Sequence, residues 1–212
     1  MKDFPVFTTE HGVGSLIFKE IPYQGAAFVK IHDVSDLNLF IRECVEFSRM
    51  AGADCVYATG SDRLESYPFH TSIYRMRISR DNLADTDACL MPVNEAHLEE
   101  FRHIYNVRMK NVHNHSYMTQ RDAHELLQKK EGYFVHRGGE LIGIGIASGE
   151  TIRTVIACQP GKGADVLLAL NHALTGETAE LEVASENTRA LRLYERLGFV
   201  KVHEISKWYK IF

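Results

Sequence analysis

The chain has 212 residues, 45% of them hydrophobic, with 24 Lys and Arg against 28 Asp and Glu and a formal net charge of −4. That apolar share supports an ordinary globular core, and the acidic balance excludes a basic field that would draw the protein to nucleic acid. No apolar run reaches the roughly 18 residues needed to cross a bilayer, so no membrane role is expected.

The opening Met1-Lys2-Asp3-Phe4-Pro5-Val6 lacks the apolar core of a signal peptide. Cys44, Cys55, Cys89 and Cys158 are scattered, with no C-x-x-C pair. A reduced, cytoplasmic protein without a disulfide or metal framework is expected.

In the N-terminal part, 15–18 and 26–31 read as strands joined through Ile21-Pro22-Tyr23-Gln24-Gly25. Ser35-Asp36 opens a helix to about Met50, because Leu37, Phe40, Ile41, Cys44, Val45 and Ser48 recur on one side at helical spacing. A short buried strand is expected at 55–58 and a longer one at 69–78. No chemical motif occurs in this part. The stretch Arg80-Asp81-Asn82-Leu83-Ala84-Asp85-Thr86-Asp87 is polar, acid-rich and aperiodic. It is the best boundary, giving an α/β region over 1–87 and a second domain over 88–212.

Beyond it, 95–107 and 119–129 read as helices. A strand at 133–136 meets the tight turn Arg137-Gly138-Gly139-Glu140 and a return strand at 141–147. The next strand is 151–158. Residues 165–174 form a helix that is apolar nearly all round, hence buried. A strand at 179–184, a helix after Asn187, and strands at 199–202 and 205–211 complete the set. Strands alternate with helices but begin from a hairpin, which predicts an α/β (α+β) chain with a mixed sheet.

Two stretches carry chemistry. Cys158-Gln159-Pro160-Gly161-Lys162-Gly163-Ala164-Asp165 lies between strand and helix. Glycines let the backbone approach a ligand, the helix start directs free N–H groups outward, and a lysine beside them favours an anion. Taken alone, this is an ordinary turn and helix start; its place ahead of the second stretch gives it a functional reading. The second stretch, from Asn187 to Phe199, reads N-T-R-A-L-R-L-Y-E-R-L-G-F. On a helix, Ala190, Leu193, Tyr194 and Leu197 form one apolar stripe, and Asn187 and Tyr194 share a face. Gly198 stops the helix as a left-handed cap.

This second stretch resembles the last motif of the GNAT superfamily of N-acetyltransferases, N-x-x-A-x-x-L-Y-E-x-L-G-F, with every fixed position filled. The resemblance covers about Cys89 to Phe212. It implies a GNAT-like acetyltransferase fold there, and residues 1–87 resemble, by element order alone, a degenerate half of such a fold. It implies acetyl-CoA as co-substrate, with Gly161, Lys162, Gly163, Ala164 and Asp165 at its pyrophosphate. Backbone N–H groups around Val155, Ile156 and Cys158 would meet its carbonyl and pantetheine amides. Asn187 and Ala190 would contact the cofactor arm. Tyr194 would contact the cofactor and protonate the departing thiolate, a task that suits a tyrosine if its pKa, near 10 in water, falls in the site.

The family's loop runs Arg/Gln-x-x-Gly-x-Gly/Ala. Here Gly163 takes the first glycine position, Pro160 stands at the Arg/Gln position with Gln159 one residue early, and Asp165 stands at the final small position. The loop is also shorter by roughly three residues. The base stays open between Glu140, Glu150, Glu182 and water. The family's loop between its first two helices lies over the acceptor, which implies Arg108, Asn111, His113, His115 and Tyr117 as its lining. His103, His113, His115 and His124 cluster in sequence, but their spacing supplies no convergent zinc ligands. Cys158 sits in an apolar strand with no adjacent His, so a direct attack in a ternary complex is expected rather than an acyl-enzyme. The acceptor would be a small-molecule or peptide amine. The altered Pro160 and Asp165 positions keep open a non-catalytic acyl-CoA or metabolite-binding module. Transfer of a longer acyl group, transfer to a hydroxyl, and a fold that binds no CoA also stay open. The N-terminal region is a candidate homodimer interface.

Overall fold

The structure is a computed structural model that describes residues 5–112 and 115–212. The chain divides into two compact units, Met1–Ile73 with Glu204–Phe212, and Tyr74–His203.

The first unit contains β1 (Val6–Thr8), β2 (Gly12–Ile17), α1 (Ile21–Gln24), β3 (Ala26–Val34), α2 (Leu37–Met50), β4 (Cys55–Thr59) and the start of β5 (Phe69–Ser79). Its strands follow the order β1-β2-β3-β4. β3 and β4 are parallel, from Ala26↔Cys55 to Lys30↔Thr59, and α2 makes the crossover between them. The Asp36 side chain accepts the N–H groups of Asn38 and Leu39, which caps α2. Leu37, Phe40, Ile41, Cys44 and Ser48 are buried as the spacing predicts, and the first four form a core with Leu16, Val29, Ile31, Val56 and Ala58. The connection at 21–25 contains the helical turn α1, which starts with Pro22 in its first turn and stops at Gly25 (φ 65°). The three-residue β1 was not expected from the sequence; pairing with β2, not its own pattern, makes it a strand.

The second unit takes the end of β5, then β6 (Cys89–Pro92), α3 (Leu98–Met109), α4 (Gln120–Lys129), β7 (Gly132–Arg137), β8 (Glu140–Ser148), β9 (Thr151–Ala157), α5 (Gly163–Asn171), β10 (Thr178–Ala184), α6 (Thr188–Arg196) and the start of β11 (Val200–Lys210). Its strand order is β5-β10-β9-β8-β7-β6. β6 through β9 pair antiparallel, while β9 and β10 are parallel, so the sheet is mixed as expected. Gly138 and Gly139, both at positive φ (58° and 83°), form the two-residue turn between β7 and β8. α5 begins at Gly163 rather than Asp165, and β11 is one strand rather than two.

Two cores form in this unit. Phe101 of α3 and Leu126 of α4 pack with Phe134, Ile144, Ile146 and Ile156. Residues of α5 and Tyr194 of α6 pack with Val135, Ile142, Ala147, Ile152 and Leu181. Strict alternation would put Ile142, Ile144 and Ile146 on one face. Ile142 joins the other core because β8 carries an extra residue there: Val135 pairs with Gly143 and His136 with Leu141. β9 has the same irregularity at Arg153, where Ile146↔Thr154 is followed by Ala147↔Ile152. Each bulge inverts the faces of the residues beyond it.

Alternation with Ile144 and Ile146 puts Gly143 and Gly145 on the α5 face. A Cβ at Gly143 would fall on the Ile156 carbonyl and Val166 Cγ2, and one at Gly145 on the Leu170 side chain. α5 therefore lies directly on β8, with Val166 to Leu170 all buried. Because the Ile156 carbonyl is backbone and cannot swing aside, Gly143→Ala should lower unfolding free energy by about 1–3 kcal/mol. Urea denaturation checks this; an unchanged midpoint would mean that α5 does not need this close approach.

Candidate functional site

The parallel ladder between β9 and β10 pairs Glu180↔Thr151 and Leu181↔Ile152. The Arg153 bulge follows at once, and a bulge bends the strand that carries it. β9 runs on to Ala157 and β10 to Ala184 outside that ladder. The two strands thus separate toward the end where α5 and α6 begin.

The amides of β9 in this stretch have fixed directions. Cys158 N–H donates to the Ile142 carbonyl at 2.9 Å. Alternation along the antiparallel ladder then turns Ile156 toward β8 as well, and turns the Val155 and Ala157 amides away from it, toward the opening. Of the three positions expected to offer backbone donors, Val155 faces the opening. Cys158 and Ile156 spend their N–H groups on β8, and Ala157 was missed. Counting alternation back from Cys158 would have found it once the bulge was known.

At the head of the opening, the Lys162 N–H closes a turn on the Gln159 carbonyl, at 3.4 Å. α5 starts at Gly163, so the N–H groups of Gly163, Ala164 and Asp165 have no intrahelical acceptor. The helix has Lys162 as N-cap with no side-chain cap, and Asp165 lies inside the first turn rather than at the cap. The Asp165 carboxylate is held by Arg137 Nη1 at 3.1 Å and by Lys162 Nζ at 3.4 Å. Arg137 also meets Asp87 at 2.7 Å, and these carboxylates hold its pKa above the usual arginine value, Asp87 contributing most. Sequence reasoning missed Arg137, which carries no motif and is brought here by the Gly138-Gly139 turn.

α6 closes the other side. Asn187 caps it, its Oδ1 accepting the Ala190 N–H at 3.2 Å. Tyr194 is buried, while Ala190, Leu193 and Leu197 are half-buried. Leu193 lies close to Gly163: a Cβ there would sit 3.0 Å from its Cδ2. Gly198, at φ 94°, ends the helix as expected, with Phe199 N–H donating to the Tyr194 carbonyl at 3.0 Å. On the outward side of α6, Thr188, Arg189, Arg192, Glu195 and Arg196 line an open groove away from the apolar stripe.

The residues expected to line an acceptor pocket, and their neighbours, divide. Asn106 binds the Met118 backbone twice, donating to its carbonyl at 3.0 Å and accepting its N–H at 2.8 Å, so the segment between α3 and α4 is tied at its far end. Arg108 Nη2 donates to the Cys158 carbonyl at 2.9 Å. Burial raises the Cys158 thiol pKa, and Arg108 opposes that. His115 is buried with Nδ1 2.7 Å from the Val112 carbonyl. His113 lies outside the described residues. Among the described residues, no group of His, Cys, Asp and Glu converges to hold a metal. The candidate bases are engaged differently: Glu182 pairs with Arg75 at 2.9 Å, Gln159 Nε2 lies 3.4 Å from Glu140, and Glu150 packs beside Gly176.

The sequence reading required a lowered pKa at Tyr194. Burial instead pushes it up to about 12, because an apolar site disfavours the phenolate. An unfolded tyrosine ionises near 10. The folded state therefore holds its proton longer, and stability falls as pH rises from about 10 to 12. Tyr194→Phe should remove that part of the alkaline loss, about 2.7 kcal/mol over the full two-unit gap, of which about 1.4 kcal/mol is lost by pH 11. Denaturation of parent and variant at pH 8 and pH 11 measures it; parallel losses would place the Tyr194 hydroxyl in water.

No family model matches the chain, and no curated protein matches it in sequence. Solved structures do match. A GCN5-related N-acetyltransferase from Sphaerobacter thermophilus aligns over 95% of this chain and 77% of its own, at 14% identity and a TM-score of 0.60. A putative acetyltransferase from Pyrococcus horikoshii aligns over 94% and 69%, at 14% identity and a TM-score of 0.62. A conserved Staphylococcus epidermidis protein of unknown function aligns over 99% and 94%, at 11% identity and a TM-score of 0.60. The chain has a GNAT-like fold, as its last motif predicted.

Proposed function

We propose that the protein is an acetyl-CoA-dependent N-acetyltransferase that passes an acetyl group to an amine. The observation that carries this reading is the opening between β9 and β10, which places free strand amides, a helix N-terminus and the Asn187–Gly198 motif around one cleft. The Val155 and Ala157 amides would pair with the pantetheine arm in the manner of an added strand. The first N–H groups of α5, at Gly163, Ala164 and Asp165, would receive the pyrophosphate. The Asp165 charge, an objection to that in the sequence, is met by Arg137 and Lys162.

In the transfer, the acceptor nitrogen bonds to the thioester carbon, the C–S bond breaks, and the nitrogen loses its proton to water. A phenol with a pKa near 12 is too weak an acid to hand its proton completely to a thiolate whose thiol ionises near 8.5. Tyr194 therefore serves by donating a hydrogen bond to the sulfur as it departs. Asn187 contributes by fixing the start of α6, since its Oδ1 is already taken by Ala190.

Calorimetric titration with acetyl-CoA and CoA tests the reading. Micromolar binding is expected, and no heat at millimolar ligand would overturn it. Once an acceptor amine is in hand, Tyr194→Phe should lower turnover at least about tenfold with acetyl-CoA affinity nearly intact. Equal turnover would remove Tyr194 from the chemistry. Gly163→Glu, which crowds Leu193 and sets a carboxylate at the helix start, should weaken CoA; unchanged affinity would mean the loop holds no pyrophosphate.

A further inference from the structure

We infer that the acceptor amine belongs to an α-amino acid, its ammonium taken by Glu182 and its carboxylate by Arg75; this rests on the acetyl-CoA reading above. An arm that enters at the start of α5 and pairs with Val155 runs toward the closed end of the opening, where Leu181↔Ile152 is the last rung. That brings the thioester to the rung. On one face of the sheet Leu181 and Val183 pack into the core that holds α5 and Tyr194 of α6, so an acceptor has to arrive from the other face. Glu182 is the next residue after the rung on β10. Standing between Leu181 and Val183, it belongs to that other face.

A row of alternating charge occupies that face. Arg77 Nε donates to Glu180 at 2.6 Å. Arg75 Nη2 donates to Glu182 at 2.9 Å, while its Nε stands 3.8 Å from Glu180. Glu180 is thus met by Arg77, and Arg75 with Glu182 is the pair able to exchange partners. Their side chains are 37% and 51% exposed, so one ligand can reach both. The exchange selects by charge. A simple amine that takes Glu182 leaves Arg75 without its closest partner. An α-amino acid brings a carboxylate on the neighbouring carbon, so one ion pair becomes two and no charge is stranded. The planar fork of Arg75 suits that carboxylate. An exposed pair contributes little to stability, so opening it costs the fold little. In the transfer, one ammonium proton stays on the amide nitrogen, one goes to water and one ends on the CoA thiol.

The test follows thiol release from acetyl-CoA with each standard amino acid, and with the amide and the decarboxylated amine of each one that responds. Parent, Arg75→Ala and Arg75→Lys are compared, with CoA calorimetry and a thermal melt on each. At least one amino acid should exceed its amide and its amine by at least about tenfold in kcat/KM. Arg75→Ala should erase that margin and Arg75→Lys keep part of it, with CoA affinity and melting temperature at the parent's values. Titrated into CoA-saturated protein, the same amino acid should bind Glu182→Gln at least about tenfold more weakly than the parent. Equal rates with an amino acid and its amine would overturn the assignment, as would a margin that persists in Arg75→Ala. A fall in CoA affinity or melting temperature in Arg75→Ala would make the pair a support of β5 and β10 and overturn it too. CoA binding with no response to any amino acid overturns this assignment alone. If the parent binds no CoA, the acetyl-CoA reading falls and takes this assignment with it.

Discussion

The extra residue at Arg153 is the constraint from which the rest of the second unit follows. Up to Ile152, β9 is an ordinary interior strand, paired on both sides. The bulge bends it, ends its ladder with β10, and exchanges the faces of every residue beyond. Interior strands normally satisfy their amides with neighbours. Here Val155 and Ala157 lack a strand partner on the β10 side while β8 holds the strand firmly on the other. A rigid strand with one free edge is what a linear amide-bearing ligand needs, and a straight β9 would have paired that edge away.

Close packing holds the opening's upper edge. Gly143 and Gly145 let α5 rest against β8 without intervening side chains, and Gly163 lets α6 come up to α5 through Leu193. A helix end that must present N–H groups at a fixed place needs its axis fixed first, and buried aliphatic contact from Val166 to Leu170 does that. Electrostatics are then added locally: Asp165 forms part of a neutral network with Lys162, Arg137 and Asp87.

Much of this was legible in the sequence. The α2 face, the Gly138-Gly139 turn, the all-round apolar α5 and the Gly198 stop each follow from local rules of spacing or φ, and each is present. What local rules could not reach depends on pairing. β1 and β6 are edge strands of three and four residues whose identity comes from their neighbours. Ile142 could not be assigned to a face because a bulge leaves no mark on composition. The same holds at the site. The Asn187 motif located α6, but the direction of the Val155 and Ala157 amides needed the register. The raised pKa of Tyr194 needed its burial, and Arg108 and Arg137 were separated from the loop by chain length alone.

The paired hydrogen bonds between Asn106 and the Met118 backbone have a consequence for how two helices are aligned. They tie α3 to the residue just before the α4 cap, 12 residues on in the chain. Where α4 begins is therefore set by a side chain of α3 as well as by its own Thr119 cap, and a change at Asn106 would be felt in both helices.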